Sequence, residues 1–325
     1  MEPLQDYKLY LRKSQSLIAL LLMITGMALL SDKFFTITNM WNVTRQISVN
    51  VCISVGMTLV ILTGGIDLSV GSVLALSGAV AAGLLKNGIE LPMFNLWIRY
   101  TFLGAALAAI LAGSALGFFN GFMITKFKVP PFVATLAMLT IARGFTMLWT
   151  KGFPITGLGS RFAFMGTGWL LGIPTPVWIC MVIVAASMVL TKKTRFGRYI
   201  YAVGGNEQAA KLSGLNVNRI KVWVYIMSGA LAAVGSLITT ARLDSAQPNA
   251  GTGYELDSIA AVVIGGTSLS GGKGSVLGTV LGALIIGVLN NGLVLLDVSP
   301  FWQLSIKGFV ILLAVAVDKF NVKEK

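Results

Sequence analysis

Long apolar runs separated by short polar stretches recur along the whole chain. They fall at about 14–31, 47–63, 68–85, 101–125, 131–149, 177–191, 222–241, 256–270, 275–296 and 301–317. A helix needs about 20 residues to cross the hydrocarbon core of a bilayer, and most of these runs are near that length. The pattern predicts an all-α polytopic membrane protein of about ten spans. What lies between the spans is too short for a folded soluble domain, so residues 1–325 read as a single membrane domain with loops. Glycine and polar residues interrupt the pattern at Gly64-Gly65 and at Gly265-Gly266, which predicts a broken or re-entrant piece at each. The first run follows Lys8, Arg12 and Lys13 as a signal peptide would, but it lacks a small-x-small cleavage pattern and is long enough to remain as a span.

Composition agrees with the pattern. Apolar residues make up 55% of the 325, and charged residues only 11%, against roughly 25% charged in soluble domains. Mean hydropathy is +0.81. The net charge of +13 is no nucleic-acid signature here, because its distribution follows the rule that Lys and Arg collect in cytoplasmic loops. With the N-terminus inside, sixteen of the 25 basic residues lie on the cytoplasmic side and seven outside, leaving Arg143 and Lys307 within spans. Both termini are therefore expected in the cytoplasm. The loop 192–221 holds seven of the sixteen, against the one carboxylate Glu207. There is no His, and Cys52 and Cys180 lie far apart in apolar runs. Common zinc sites and His-based triads are excluded, the two cysteines are expected to serve packing and not a disulfide framework, and no cofactor is expected on the chain.

Two segments echo one another: GGIDLSVGSVL at Gly64 to Leu74 and GGTSLSGGKGSVL at Gly265 to Leu277. Such an echo fits two related halves around a central path, here in parallel orientation. It fits equally the repeated use of Gly and Ser where helices pack closely.

Catalytic motifs fail on inspection. Gly266 to Gly274 resembles a phosphate-binding loop but breaks the GxxxxGK[ST] order at Gly272-Lys273-Gly274, and Gly166 to Gly172 misses the dinucleotide fingerprint by one residue. The loop 192–221 carries more. Asn206 suits an N-cap, Glu207 and Gln208 a first turn, Lys211 a last turn and Gly214 the residue past the end. This predicts a two-turn helix outside the bilayer from Asn206 to Ser213, with Ala209 and Leu212 forming a small apolar face for a docking partner or the headgroup region.

In Gly64-Gly65-Ile66-Asp67-Leu68-Ser69, a carboxylate sits beside residues that tolerate unusual backbone angles. Asp67 is placed to cap the following helix, or to border a polar path at a broken helix. Asn50, Asn120, Asn290 and Asn291 put amides within spans, suited to a neutral polyol or to bonds between helices. Gly64, Gly65, Asp67, Ser69, Asn50, Asn290 and Asn291 are the candidates for a translocation path. Arg143 and Lys307, inside spans, are expected to face protein or water. The polar stretch with Arg242, Asp244, Gln247, Asn249, Tyr254 and Glu255 is read as an external loop for a soluble partner.

The stretches VGMTLVILTGGIDLSVGSVLALSGAVAA, TRFGRYIYAVGGNEQAAKLSGLNVNRIK, ARLDSAQPNAGTGYELDSIAAVVIGGTSLSGGKGSVLGT and IIGVLNNGLVLL resemble the permease subunits of bacterial sugar-importing ABC transporters. The resemblance covers about Ser16 to Asp318. It implies the ABC importer permease fold, about ten helices per subunit, some broken, and a multi-pass place in the inner membrane. It also implies a second copy of the chain, a cytoplasmic ATP-binding cassette subunit that handles ATP and magnesium, and a periplasmic sugar-binding protein. The surrounding membrane lipid is the remaining partner. The cargo it implies is a monosaccharide, a pentose such as ribose. The helix at 206–213 would be the coupling helix that seats in the ATPase: Gln208-Ala209-Ala210 through Gly214 resembles the EAAxxxG motif, with Gln for Glu and Glu207 just before it. Asn206, Glu207, Ala209, Ala210, Leu212 and Gly214 are therefore the coupling candidates, and the Arg242 to Glu255 stretch would meet the binding protein.

Two other classes compete with this reading. An ion-driven secondary transporter would use Asp67, Arg143 or Lys307 as a charge relay. An intramembrane enzyme would need convergent nucleophile, base and oxyanion groups, and the sequence offers no such set.

Overall fold

The computed structural model describes residues 3–91, 96–98 and 100–323. Among them are thirteen helices and three pairs of very short antiparallel strands. The first helices are α1 (Pro3–Leu30), α2 (Ile37–Leu62) and α3 (Val70–Lys86), followed by the hairpin β1 (Ile89–Leu91) and β2 (Leu96–Ile98). Next come α4 (Phe102–Lys126), α5 (Pro131–Thr150), β3 (Ile155–Thr156), α6 (Ser160–Thr167), the hairpin β4 (Trp169–Leu170) and β5 (Ile173–Pro174), and α7 (Thr175–Lys193). The remainder is α8 (Arg195–Gly205), α9 (Glu207–Leu212), α10 (Val217–Leu243), β6 (Ser245–Ala246), α11 (Tyr254–Ile264), α12 (Val276–Leu295) and α13 (Pro300–Lys323).

Each of the ten apolar runs contains a helix, and α2, α4, α5, α7, α10 and α12 are long and apolar enough to cross a membrane. The edges follow local chemistry. Thr101 Oγ1 accepts from Gly104 N at 3.2 Å and starts α4; Ser275 Oγ accepts from Gly278 N at 3.0 Å and starts α12; Pro131 occupies the first turn of α5.

The glycine pairs do not interrupt a span: Gly64-Gly65 lies in the turn between α2 and α3, and Gly265-Gly266 in the turn between α11 and α12, and the helices beside these turns are short. Helix α3 has 17 residues and α11 has 11, so α11 reaches only about 16 Å of a 30 Å core. It ends at Ile264, six residues short of the sequence expectation, and irregular chain flanks it at 247–253 and 265–275.

Helix α2 is the axis of the molecule: 89% of its apolar window is buried, against 17% for α7 on the periphery. It packs against α10, α12, α11 and α7, and Thr58 on α2 and Thr279 on α12 share a hydrogen bond of 2.6 Å. The most extensive helix–helix contact is that of α4 with α10, and in its seam lies the glycine row Gly113, Gly117 and Gly121. A Cβ at Gly117 would meet the Tyr225 carbonyl oxygen, so the backbones approach as only glycine allows.

Candidate functional site

The segment after α7 folds as the sequence chemistry requires. Thr194 Oγ1 accepts from Gly197 N at 3.1 Å and starts α8. Asn206 then ends α8 and starts α9, its extended backbone (φ −159°) turning the chain and its Oδ1 accepting from Ala209 N at 2.9 Å. Gly214, at φ +81°, closes α9, with Gly214 N donating to Lys211 O and Leu215 N to Ala210 O. Ala210 is buried in a cluster with Ile124, Ile200, Val203 and Ile220, whereas Leu212 on the same short helix is 90% exposed. A buried residue therefore anchors α9 while an apolar one projects from it. Glu207 binds two lysines, Lys221 Nζ at 2.7 Å and Lys211 Nζ at 3.4 Å. The hydrogen bond from Lys221 holds its carboxyl below the ordinary glutamate range, with Lys211 adding a smaller pull.

Behind α9, the last turn of α8 rests on both glycine-rich turns. A Cβ at Gly204 would strike the Leu62 carbonyl oxygen, Gly272 N donates to that same oxygen at 3.0 Å, and Tyr201 Oη donates to Gly274 O at 2.9 Å. The α2–α3 turn and the α11–α12 turn thus meet each other and α8 at one joint. Both turns begin alike. Gly64 (φ +77°) and Gly266 (φ +84°) each follow a helix end with paired bonds back into its last turn. The structural match pairs Gly64 with Gly266, one residue away from the match of the sequence echo.

Asp67, further along the α2–α3 turn, is 1% exposed. Its Oδ1 accepts from Ser69 N at 3.0 Å and Ser69 Oγ at 2.6 Å, and its Oδ2 accepts from Ser228 Oγ on α10 at 2.8 Å. Asn120 Nδ2 on α4 donates to Ser69 Oγ at 2.9 Å. Three donors and no cation hold the carboxylate, and they tie α3, α10 and α4 together. Gly64 and Gly65 precede Asp67 in the same turn, and a Cβ at Gly65 would meet Tyr225 Oη.

The amide candidates lie elsewhere. Asn290 Nδ2 donates to Asp257 Oδ2 at 3.2 Å, and Lys307 Nζ reaches the same oxygen at 3.1 Å. Asn291 and Asn39 exchange amide hydrogen bonds at 2.8 and 3.0 Å. Asn50 is buried midway along α2. In this conformation Asn290 Nδ2 and both amide atoms of Asn291 serve contacts between helices, Asn290 Oδ1 is buried with no hydrogen-bond partner among the described residues, and neither side chain bonds to Asp67.

At the other end of α10, the stretch from Arg242 to Glu255 is held far more tightly than a solvated loop. Arg143 Nη1 on α5 donates to Pro248 O at 2.7 Å and Ala250 O at 2.9 Å, and Asp244 Oδ1 accepts from Leu158 N at 2.8 Å. Strand β6 pairs with β3. Gly251 lies against Gly71 of α3, so the chain turns back into the bundle before α11. Asp244 and Asn249 stay exposed; Gln247 turns toward Ser245 Oγ at 3.1 Å; Glu255 Oε1 accepts from Gly253 N at 3.3 Å. Arg242 and Tyr254 line a cavity of about 270 Å³ together with Gln46 and Thr239. Among the described residues, no cluster of Cys, Asp and Glu suits a metal ion.

Sequence reasoning has Arg143 and Lys307 facing protein or water, or snorkelling to an interface; in the structure Arg143 meets the carbonyls of Pro248 and Ala250, and Lys307 meets the carboxylate of Asp257. The same reasoning missed Asp257, although an Asp in one apolar run and a Lys in another are a readable pair, and it missed Gly204, whose role depends on a neighbour far along the chain.

The family model described as "Branched-chain amino acid transport system / permease component" matches residues 39–315. The Ribose import permease protein RbsC of Escherichia coli (strain K12) is 53% identical over 315 residues, covering 96% of this chain and 95% of that protein. Its namesake in Bacillus subtilis (strain 168) is 48% identical over 311 residues, covering 95% and 93%. The D-allose transport system permease protein AlsC of Escherichia coli (strain K12) is 38% identical over 321 residues, covering 98% and 95%. No solved structure matches.

Proposed function

The chain belongs to the branched-chain amino acid transport system / permease component family, and we propose that it is the membrane-spanning subunit of an ATP-driven importer that carries a monosaccharide, ribose, across a bacterial inner membrane. It works as a homodimer, with both termini and the 192–221 segment in the cytoplasm. A separate cassette subunit binds and hydrolyses ATP, and a periplasmic sugar-binding protein delivers the cargo to the end bearing Arg242, Asp244, Gln247, Asn249, Tyr254 and Glu255.

The observation that carries this reading is α9: a doubly capped two-turn helix that exposes Leu212 and is anchored through Ala210. It is the lever, with Asn206 and Gly214 as its ends, Ala209 and Leu212 on its contact side, and Glu207 tying it to α10 through Lys221. Motion of α9 passes through α8 to the joint at Leu62, Gly204 and Gly272, and from there to α3 and α12. The turn with Gly64, Gly65, Asp67 and Ser69, and the amides Asn50, Asn290 and Asn291, then change their packing around the path. ATP drives this only because it is bound with different affinity in the two states, and that difference resides in the cassette subunit.

The test is co-purification of the three components followed by ATPase measurement in proteoliposomes with ribose-loaded binding protein. Sugar-stimulated hydrolysis is expected. Uptake by the chain alone under an ion gradient would overturn the reading in favour of a secondary transporter.

A further inference from the structure

Beside α9 lies a cleft of about 400 Å³, set between the α4–α5 turn, α9 and the start of α10. Its polar lining is Thr125, Lys128, Glu207, Lys211, Asn218 and Lys221. Three ammonium groups thus face one carboxylate, and that carboxylate is engaged by Lys211 and Lys221. Among the described residues, no carboxylate lies within ion-pair distance of Lys128. Lys128 also has φ +56°, a conformation that non-glycine residues rarely adopt, in the turn that borders the cleft. The cleft therefore carries surplus positive charge.

A second feature leads into it. Phe118, Phe122 and Phe127 are 50%, 38% and 61% exposed, with ring centroids 6.0 and 5.7 Å apart in sequence order. At 100° per residue, Phe118, Phe122 and Thr125 fall within about 60° of one another on α4. An exposed aromatic strip on a span thus runs down to the residue that opens the cleft.

From these two features we propose that the cleft binds the phosphate of an anionic phospholipid of the cytoplasmic leaflet, with its acyl chains along Phe118 and Phe122. The proposal rests on the cytoplasmic placement of α9 given above. Basic pockets between spans on this side of a membrane suit anionic headgroups, each Lys adding to the attraction. A free phosphate would make no use of the aromatic strip, and neither would an acidic side chain of a soluble partner.

Purified full-length chain is mixed with dioleoyl phosphatidylglycerol, dioleoyl phosphatidylcholine or inorganic phosphate, and bound species are counted by native mass spectrometry. Phosphatidylglycerol is expected to be retained in preference to phosphatidylcholine. Lys128→Gln should weaken it about fivefold, while Lys151→Gln, an exposed position outside the cleft, should not. Phe122→Ala should weaken phosphatidylglycerol and leave phosphate unchanged. Equal retention of the two lipids, or no effect of Lys128→Gln, overturns the proposal. Phosphate competing equally with phosphatidylglycerol in the wild type and in Phe122→Ala makes this a free-anion site, and release of the lipid by the cassette subunit makes it a protein interface; either result also overturns it. Sidedness is read separately, from labelling of Leu212→Cys with an impermeant thiol reagent. Labelling from the periplasm would refute the placement of α9 whatever lipid is bound.

Discussion

Ser228 Oγ donates to Asp67 Oδ2 at 2.8 Å, joining a turn between two spans to the middle of α10, 161 residues later. The carboxylate is fully inside protein and held by hydroxyl and amide donors. Asp67→Ala would strand three buried donors, at about 1–3 kcal/mol for each group left unsatisfied. Thermal unfolding of the purified protein in detergent should show a clear loss for Asp67→Ala and a smaller one for Asp67→Asn, which keeps an acceptor. An unchanged melting temperature in Asp67→Ala would remove the capping reading, and unchanged sugar uptake by the same variant would remove the path reading as well.

Gly214 closes α9 at φ +81°, and the space around its Cα is open. Its requirement is therefore conformational and not steric. Gly214→Ala should cost about 1 kcal/mol in the left-handed conformation. Gly214→Pro cannot take that φ and also removes the bond from Gly214 N to Lys211 O. The expected outcome is an inserted protein whose partner hydrolyses ATP without sugar stimulation, read from the ratio of uptake to phosphate release. A normal ratio in Gly214→Pro would exclude α9 as the lever.

Glu207 tests the electrostatics of the same helix. Its carboxyl is held below the ordinary 4.5, chiefly by the hydrogen bond from Lys221. A depressed carboxyl stabilises the fold above the ordinary pKa, and that contribution is lost as pH falls through the lower folded value. Lys221→Met should raise the Glu207 titration toward 4.5, visible by NMR of the selectively labelled carboxyl. Glu207→Lys should set three like charges together and uncouple transport; unaltered uptake would argue that the pair only solvates the loop.

Neighbouring glycines at the end of α8 give a paired experiment. A Cβ at Gly204 meets the Leu62 carbonyl oxygen, whereas at Gly205 it meets nothing within 4 Å. Gly204→Ala should wedge the joint open and abolish sugar-stimulated hydrolysis, while Gly205→Ala should match wild type. Equal behaviour of the two variants would mean that α8 does not transmit through this contact.

Local chemistry made much of this legible beforehand. The caps at Asn206 and Gly214 need only neighbours in sequence, and the structure has them as read. The ten apolar runs each hold a helix for the same reason: bilayer thickness acts on every span alone. The glycine row Gly113, Gly117, Gly121 was present in the sequence at a spacing that signals close packing, but choosing α10 as its partner takes tertiary information. The Arg242 to Glu255 stretch reads as a solvated loop because its polarity is real. What recruits it into the bundle is Arg143, some hundred residues earlier, whose guanidinium satisfies two of its carbonyls. Pairings such as Asn39 with Asn291 are invisible to periodicity for the same reason.

The pair Lys307 and Asp257 separates the two transporter classes. Asp257 is buried and receives both Lys307 Nζ and Asn290 Nδ2 on one oxygen. Removing one partner of a buried pair costs about 3–5 kcal/mol; Lys307 is a quarter exposed, so the lower end of that range or less applies here. Lys307→Met and Asp257→Asn should each destabilise the protein, and the double variant should be more stable than the sum of the two predicts, because neither charge is then left unpaired. If the pair only staples α13 to α11, the double variant reconstituted with the cassette subunit and binding protein keeps sugar uptake. A charge relay has no such freedom: neutralising both groups removes the proton or ion site. Loss of uptake in a well-folded double variant would therefore favour an ion-driven mechanism over coupling through α9.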